Sequence, residues 1–160
     1  MTGWIPAADT TNLHLATHHP TLYLLATLGE ALADAGIEVE GTIRRVADAA
    51  VPTNPGWTHV VSSDSLGAVV SEMLKQSDNQ MAESILRTVG LEASGEGTAA
   101  AGLAVVGGVL ARWGIEPGAM ALSDGSGLSR YNRIAPSAMA RLLRAMWRHD
   151  EYRVFFTGLP

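Results

Sequence analysis

The sequence predicts a mostly helical protein with a few short strands. Apolar residues recur at spacings of three and four over most of the chain, which is the period of an amphipathic helix. Glycines and prolines separate these segments, and strand-like alternation is confined to short stretches. A length of 160 residues fits one domain or one lobe of a larger one. We therefore predict an irregular lead-in at residues 1–18 and, over residues 19–160, part of one domain, mainly a helical lobe of it.

Helix signals in the first half of the chain are local. Pro20 fits the first turn of a helix, because its missing N–H needs no partner there, and Gly36 fits the end of that helix. Rough alternation predicts a short strand or hairpin arm over residues 37–46 and another short strand over 57–61. Ser65 is a plausible N-cap for a second helix, which we expect to run through residue 76.

In the second half, we predict a helix over residues 79–89 that stops at Gly90, followed by a polar loop over 91–97. Thr98 should cap a long helix to residue 113, and small residues in it suit close packing against neighbours. Residues 120–122 form at most a short strand, and a glycine-rich loop follows over 123–130. Pro136 should begin a last helix, to about residue 149, before an apolar end over 152–160 that carries no cap.

Composition excludes several classes of function. The net charge is −5, whereas nucleic-acid binding needs clustered positive charge. No run reaches the roughly 18 apolar residues of a membrane span, and nothing after Met1 resembles a signal peptide. Without cysteine there is neither a disulfide nor a thiolate metal site. His14, His18 and His19 lie near Asp9, but their spacing matches no zinc motif, so we expect neither metal nor organic cofactor.

The triplet Ser77-Asp78-Asn79 lies at the joint of two predicted helices. A serine hydroxyl near a lysine can relay a proton to a leaving amine. An asparagine amide can hold a substrate carbonyl and that lysine at once, since it both accepts and donates. The competing interpretation is that Ser77 and Asp78 are only helix caps and Asn79 a first-turn residue.

Three ordered blocks carry a family resemblance: Gly36-Ile37-Glu38-Val39-Glu40-Gly41, then Ser77-Asp78-Asn79 with Ala82-Glu83 at the family's spacing, then Asp124-Gly125-Ser126-Gly127-Leu128-Ser129-Arg130. Together they resemble the class C low-molecular-mass penicillin-binding proteins, which are serine-type D-alanyl-D-alanine carboxypeptidases and endopeptidases. The resemblance implies the helical lobe of a β-lactamase/transpeptidase-like α+β domain. It also implies a hydrolase of the cell wall that cleaves peptidoglycan stem peptides through an acyl-serine intermediate and reacts with β-lactams. The parent protein would be extracytoplasmic, in the periplasm or cell wall.

The resemblance assigns catalytic roles to Ser77, as proton relay, and Asn79, as substrate holder. The glycine-rich block allows two interpretations. In the first, its residues border the cleft and bind substrate: Asp124, Gly125, Ser126, Gly127 and Arg130. In the second, the block is a scaffold in which the glycines permit positive φ and the polar side chains hydrogen-bond to their own turn. We favour the scaffold, with Arg130 and Asn132 tying the loop to neighbouring helices.

The chain contains neither the family's Ser-x-x-Lys nor its Lys-Thr-Gly; its one lysine, Lys75, follows Ser71 at a spacing of four. We therefore expect a fragment that is inactive alone and that self-associates through exposed apolar surface. The alternative is a non-catalytic helical binding module or one half of a split assembly.

Overall fold

The computed structural model describes residues 17–45, 53–54, 58 and 60–159. The chain divides into two compact units, Met1–His59 and Val60–Pro160. The mostly helical class predicted from the sequence is confirmed. The predicted lead-in over residues 1–18 lies almost wholly outside the described residues.

The first unit contains helix α1, Pro20–Asp34. His19 is its N-cap, Pro20 occupies the first turn, and Gly36 follows the helix with φ 74°. Both ends are therefore as the sequence predicted. The strand predicted over 37–46 is wrong for residues 37–45, which form no strand, and Val46 lies outside the described residues. The other early strand is not seen at residues 58, 60 and 61, while Trp57 and His59 are not described.

The second unit contains five helices and one small sheet. The helices are α2 (Leu66–Gln76), α3 (Asn79–Ser94), α4 (Ala99–Arg112), α5 (Pro136–Trp147) and α6 (Tyr152–Gly158). Strands β1 (Met120–Ala121) and β2 (Arg133–Ile134) pair antiparallel, with Met120 opposite Ile134. The glycine-rich block thus lies in the connection of a β-hairpin. Neither β2 nor α6 was predicted.

Side chains cap the first turn of three of these helices, α2, α3 and α4. Ser65 Oγ accepts a hydrogen bond from Ala68 N–H at 3.3 Å, which starts α2. Thr98 Oγ1 accepts from Ala101 N–H at 3.1 Å, which starts α4. Such caps stabilise a helix by about 1 kcal/mol each. They depend only on neighbouring residues, which explains why the sequence located these helix starts correctly.

Helix α3 continues past the predicted stop at Gly90 and ends at Ser94, followed by Gly95 at φ 78°. Gly90 is buried inside the helix, where a Cβ atom would lie 2.7 Å from the backbone nitrogen of Gly102 in α4. The prediction of a stop there was wrong because this glycine serves close helix packing and not chain reversal. The polar loop predicted over 91–97 shortens accordingly.

The core of the second unit lies between the end of α4, β1 and α5. It is formed by Leu110, Ile115, Met120 and Ala138, of which Ile115 and Ala138 are only 2% and 1% exposed. A second contact packs α6 against α2, where a Cβ atom on Gly158 would lie 2.7 Å from Leu74 Cδ1.

Among the described residues, no single helix is long and apolar enough to span a membrane. Helices α3 and α4 reach that length and hydropathy only when taken together, and they meet at 79°.

Candidate functional site

The joint between α2 and α3 is built by three consecutive residues with different backbone roles. Ser77 ends α2 in the left-handed conformation, at φ 53° and ψ 46°, and its N–H donates to the Met73 carbonyl. Asp78 is extended and caps α3, since its Oδ1 accepts from Met81 N–H at 2.8 Å. Asn79 is the first residue of α3. Asp78 therefore caps the start of α3 with its side chain, whereas Ser77 caps the end of α2 through its backbone and leaves its side chain out of the capping.

The side chains of Ser77 and Asn79 are left available by this arrangement. Ser77 is exposed and Asn79 half-buried, so both lie outside the core, as expected for a motif that meets other groups. Within the described part of the chain, neither side chain makes a hydrogen bond. The two groups can therefore contact a ligand without first breaking a protein hydrogen bond. Whether they line a cleft stays a prediction.

The glycine-rich loop is organised around the carboxylate of Asp124. Its Oδ1 accepts from Gly127 N–H at 2.9 Å and from the Asn132 side chain at 2.7 Å. Its Oδ2 accepts from Ser129 N–H at 2.8 Å and from the Ser126 hydroxyl at 3.2 Å. Both oxygens are thus used inside the loop, and Gly127 adopts φ 75°, a conformation that glycine takes without strain. These contacts support the scaffold interpretation for Asp124, Ser126 and Gly127.

Hydrogen bonding also changes the acidity of this carboxyl. The pKa of Asp124 is lowered from its ordinary value, chiefly because the Asn132 side chain donates to the charged form, with further donation from Ser129, Gly127 and Ser126. Partial burial opposes this shift by penalising the charge. The loop is therefore organised by an ionised Asp124 at neutral pH.

Asn132 and Arg130 do not act as the sequence suggested. Asn132 bonds within the loop, because its Oδ1 also accepts from Ser123 N–H at 2.7 Å and closes the base of the hairpin connection. Arg130 is exposed and makes no hydrogen bond or ion pair with the described residues. Among the described residues, neither side chain hydrogen-bonds to a neighbouring helix, so the expectation that the two link the loop to the helices was wrong.

The hydrogen bonds that link the loop to a helix are accepted by Glu83 of α3. Its Oε1 accepts from Gly125 N–H at 2.9 Å and from Ser126 N–H at 3.1 Å. Sequence reasoning used Glu83 only as a spacing match after Asn79 and assigned it no contact. The available signal was an acidic residue one helical turn after the triplet, together with a loop whose backbone N–H groups need acceptors.

The single lysine is engaged away from Ser71. Lys75 Nζ donates to the Leu159 carbonyl at the end of α6, while Ser71 is half-buried in the middle of α2. This supports leaving Ser71 and Lys75 out of the catalytic assignment. His18 and His19 precede α1, whereas His14 and Asp9 are not described. Over the described residues, no three histidines or carboxylates gather as metal ligands would.

The chain matches the D-Ala-D-Ala carboxypeptidase 3 (S13) family over residues 1–160, and it belongs to that family. The resemblance inferred from the sequence motifs is thereby confirmed.

Two relatives show how much of a family member this chain covers. It is 29% identical over 143 residues to D-alanyl-D-alanine carboxypeptidase DacB of Haemophilus influenzae, covering 87% of this chain and 29% of that protein. It is 36% identical over 119 residues to the D-alanyl-D-alanine carboxypeptidase of Actinomadura sp. strain R39, covering 71% of this chain and 21% of that protein. The chain therefore spans less than a third of the length of either relative.

Proposed function

We propose that this chain supplies the Ser77 and Asn79 part of the active site of a serine-type D-Ala-D-Ala carboxypeptidase or endopeptidase. Its substrate would be the stem peptide of peptidoglycan, cleaved through an acyl-serine intermediate outside the cytoplasm. β-Lactams would acylate the same enzyme. Family membership and the names of the two relatives support this reaction class.

The observation that carries the proposal is the backbone of Ser77. It is the one residue other than glycine with positive φ among those described. A left-handed conformation costs such a residue on the order of 1 kcal/mol, and glycine would take it freely. Backbone strain of this kind clusters at functional sites. A serine at a position whose backbone suits glycine, exposed and with no side-chain hydrogen bond to the described residues, is well placed to use its hydroxyl.

The roles follow from the chemistry of the two side chains. Ser77 Oγ both donates and accepts, so it can pass a proton between a neighbouring lysine and the departing D-Ala amine. The Asn79 amide can hold the carbonyl of the peptide preceding the scissile bond while donating or accepting at its other atom. The nucleophile of this mechanism is not among the residues of this chain, which has no Ser-x-x-Lys.

The glycine-rich loop would contribute shape more than chemistry. Asp124 and Ser126 are engaged in holding the loop, and Gly125 and Gly127 present backbone. Arg130 extends from the loop into solvent and could meet a substrate carboxylate. The loop also borders a cavity of about 410 Å³ that is otherwise lined by apolar side chains of α2, α3, α4 and β2 and by Leu122.

The test is substitution in the full polypeptide that the gene encodes. Ser77→Ala should slow both acylation by a fluorescent penicillin and D-Ala release from a D-Ala-D-Ala peptide by roughly 100-fold or more, because proton transfer contributes that much. Asn79→Ala should slow both by at least about tenfold, since it removes one substrate hydrogen bond.

Ser84→Ala and Gln80→Ala are matched controls on the same helix. Ser84 and Gln80 are exposed, and the Ser84 hydroxyl donates only to the Gln80 carbonyl. Both controls should act like the unsubstituted protein. If Ser77→Ala and Asn79→Ala also keep full activity, the chain has no catalytic role, and a helical binding module becomes the better description.

We also propose that the chain on its own self-associates through a second copy of itself. Met139, Leu143 and Trp147 recur at every fourth position of α5 and are 39%, 45% and 68% exposed. Residues four apart lie on the same face of a helix, so the three form one apolar stripe. Contiguous exposed apolar surface often marks a site of protein–protein contact.

A further inference from the structure

Glu83 is the one side chain of α3 that hydrogen-bonds to the glycine-rich loop. One carboxylate oxygen accepts from two successive backbone N–H groups, those of Gly125 and Ser126, across more than forty residues of chain. Hydrogen bonds to an ionised acceptor are stronger than neutral ones. The bond to Ser126 is partly buried, whereas the bond to Gly125 is exposed to water.

A second contact at the same place leaves the loop little freedom. A Cβ atom on Gly125 would lie 2.9 Å from the Ala82 carbonyl oxygen and 3.1 Å from Leu86 Cβ. The loop backbone therefore rests directly on the second turn of α3, while Glu83 holds it from the side. Asp124 and Asn132 hold the loop together by hydrogen bonds that do not involve α3.

The position of Glu83 along α3 relates this anchor to the candidate catalytic pair. Asn79 and Glu83 are four residues apart and share one face of the helix, about 6 Å along its axis. Asp78, which caps the same helix, fixes the backbone between Ser77 and Asn79. A displacement of the first two turns of α3 relative to the loop would move Asn79 with them.

We propose that Glu83 is a positioning residue, which holds the first turns of α3 against the glycine-rich loop and so fixes the orientation of Asn79 and Ser77. This inference rests on the proposed function of that pair. Glu83 acts through its acceptor oxygen and touches neither the substrate nor the reacting atoms. A misplacement of about 1 Å by such a residue can slow catalysis by about 100-fold.

The test compares Glu83→Gln with Glu83→Ala in the full polypeptide. Glutamine keeps an oxygen at the same reach that can accept from both N–H groups, whereas alanine leaves them without an acceptor. We expect Glu83→Ala to slow penicillin acylation at saturation by about tenfold or more, with a smaller effect on the half-saturating concentration. We expect Glu83→Gln to stay within about threefold of the unsubstituted protein.

Two further measurements separate positioning from loss of stability. Thr98→Ala removes the hydrogen bond from Ala101 N–H that caps the start of α4, and it serves as a destabilised variant that leaves the Glu83 hydrogen bonds in place. It should lower the melting temperature without slowing acylation. Hydrogen-exchange mass spectrometry should show faster exchange over residues 123–128 in Glu83→Ala, and unchanged exchange there in Glu83→Gln and Thr98→Ala.

Several outcomes would overturn the proposal. Faster loop exchange with normal acylation in Glu83→Ala would reduce Glu83 to a loop anchor. Equal losses in Glu83→Gln and Glu83→Ala would show that the negative charge, and not the accepting oxygen, is needed. Equal slowing by Thr98→Ala would attribute the effect to stability. A silent Ser77→Ala in the same assay would instead reject the proposed function, and the exchange data would still report whether Glu83 anchors the loop.

Discussion

Gly90 and Gly102 bring helices α3 and α4 into backbone contact. A Cβ atom on Gly90 would lie 2.7 Å from the Gly102 nitrogen, and one on Gly102 would lie 2.1 Å from the Leu86 carbonyl oxygen. Both glycines are buried. Since no other residue type lacks a Cβ atom, this crossing depends on glycine at both positions.

Gly102→Ala should destabilise the protein by about 3 kcal/mol, because the added methyl group cannot be accommodated without separating two backbones. Gly107→Ala is the matched control in the same helix. Nothing lies within 4 Å of a Cβ atom there, so it should stabilise the protein by about 0.5–1 kcal/mol through helix propensity. Urea unfolding followed by circular dichroism measures both. Similar unfolding free energies for the two variants would contradict the close packing of Gly102 against α3.

Asp124 should make the stability of the loop depend on pH. Its pKa is lowered in the folded protein below the ordinary value of 3.8, so the folded state binds the proton less readily than the unfolded state. Its stabilising contribution is therefore fully present above about pH 4 and is lost as the pH falls through the lower, folded pKa. Asp124→Asn should be less stable than the unsubstituted protein at neutral pH, and the difference should shrink in acid.

The measurement is urea unfolding at neutral pH and at a series of acid pH values below 3.8, the ordinary value from which the pKa of Asp124 is lowered. Asp64→Asn is the control, since Asp64 is exposed and its carboxylate makes no hydrogen bond with the described residues. A stability difference between Asp124→Asn and the unsubstituted protein that is constant with pH would exclude the carboxylate as the organiser of the loop.

Ser77→Gly should raise stability while lowering activity. Glycine adopts the left-handed conformation of this position without the cost that serine bears, so we expect a gain of about 1 kcal/mol. Ser84→Gly, inside α3, should instead lose about 0.5 kcal/mol. Thermal unfolding and penicillin acylation of the full polypeptide check the two effects. A variant at Ser77 that is more stable and equally active would indicate that the hydroxyl has no function.

This chain alone should not be acylated by a labelled penicillin, because it contains no Ser-x-x-Lys. Intact-protein mass spectrometry after incubation with the label is the measurement. A stoichiometric adduct would contradict the expectation. Ser71→Ala and Ser77→Ala would then show which hydroxyl had reacted.

The chain alone should self-associate through the stripe on α5. Sedimentation velocity should show a mass that rises with concentration, and Leu143→Gln should shift the protein towards monomer. Arg144→Gln, at the exposed neighbouring position, should not. A compact monomer of the unsubstituted chain over a wide range of concentration would show that the unit closes its own core.

The sequence by itself determined those features that depend on near neighbours. Pro20 and Gly36 bounded α1, and Ser65 and Thr98 began α2 and α4, because capping and turn chemistry involve residues within four positions. The order of the motifs determined the family, since three blocks in the right sequence do not depend on packing. Ser77 and Asn79 were located on the chain in the same way.

Only the tertiary structure decided what distant residues do together. Gly90 reads as a helix stop in isolation, but contact with α4 places it inside α3. The two-residue strand β2 exists only through its pairing with β1, which no local pattern specifies. In the sequence alone, nothing distinguishes Glu83 from other helix residues, whereas the structure places two N–H groups of the hairpin loop within hydrogen-bond distance of it. In each case the arrangement is stabilised by contacts between residues far apart in the sequence, and the local pattern of apolar residues does not specify such contacts.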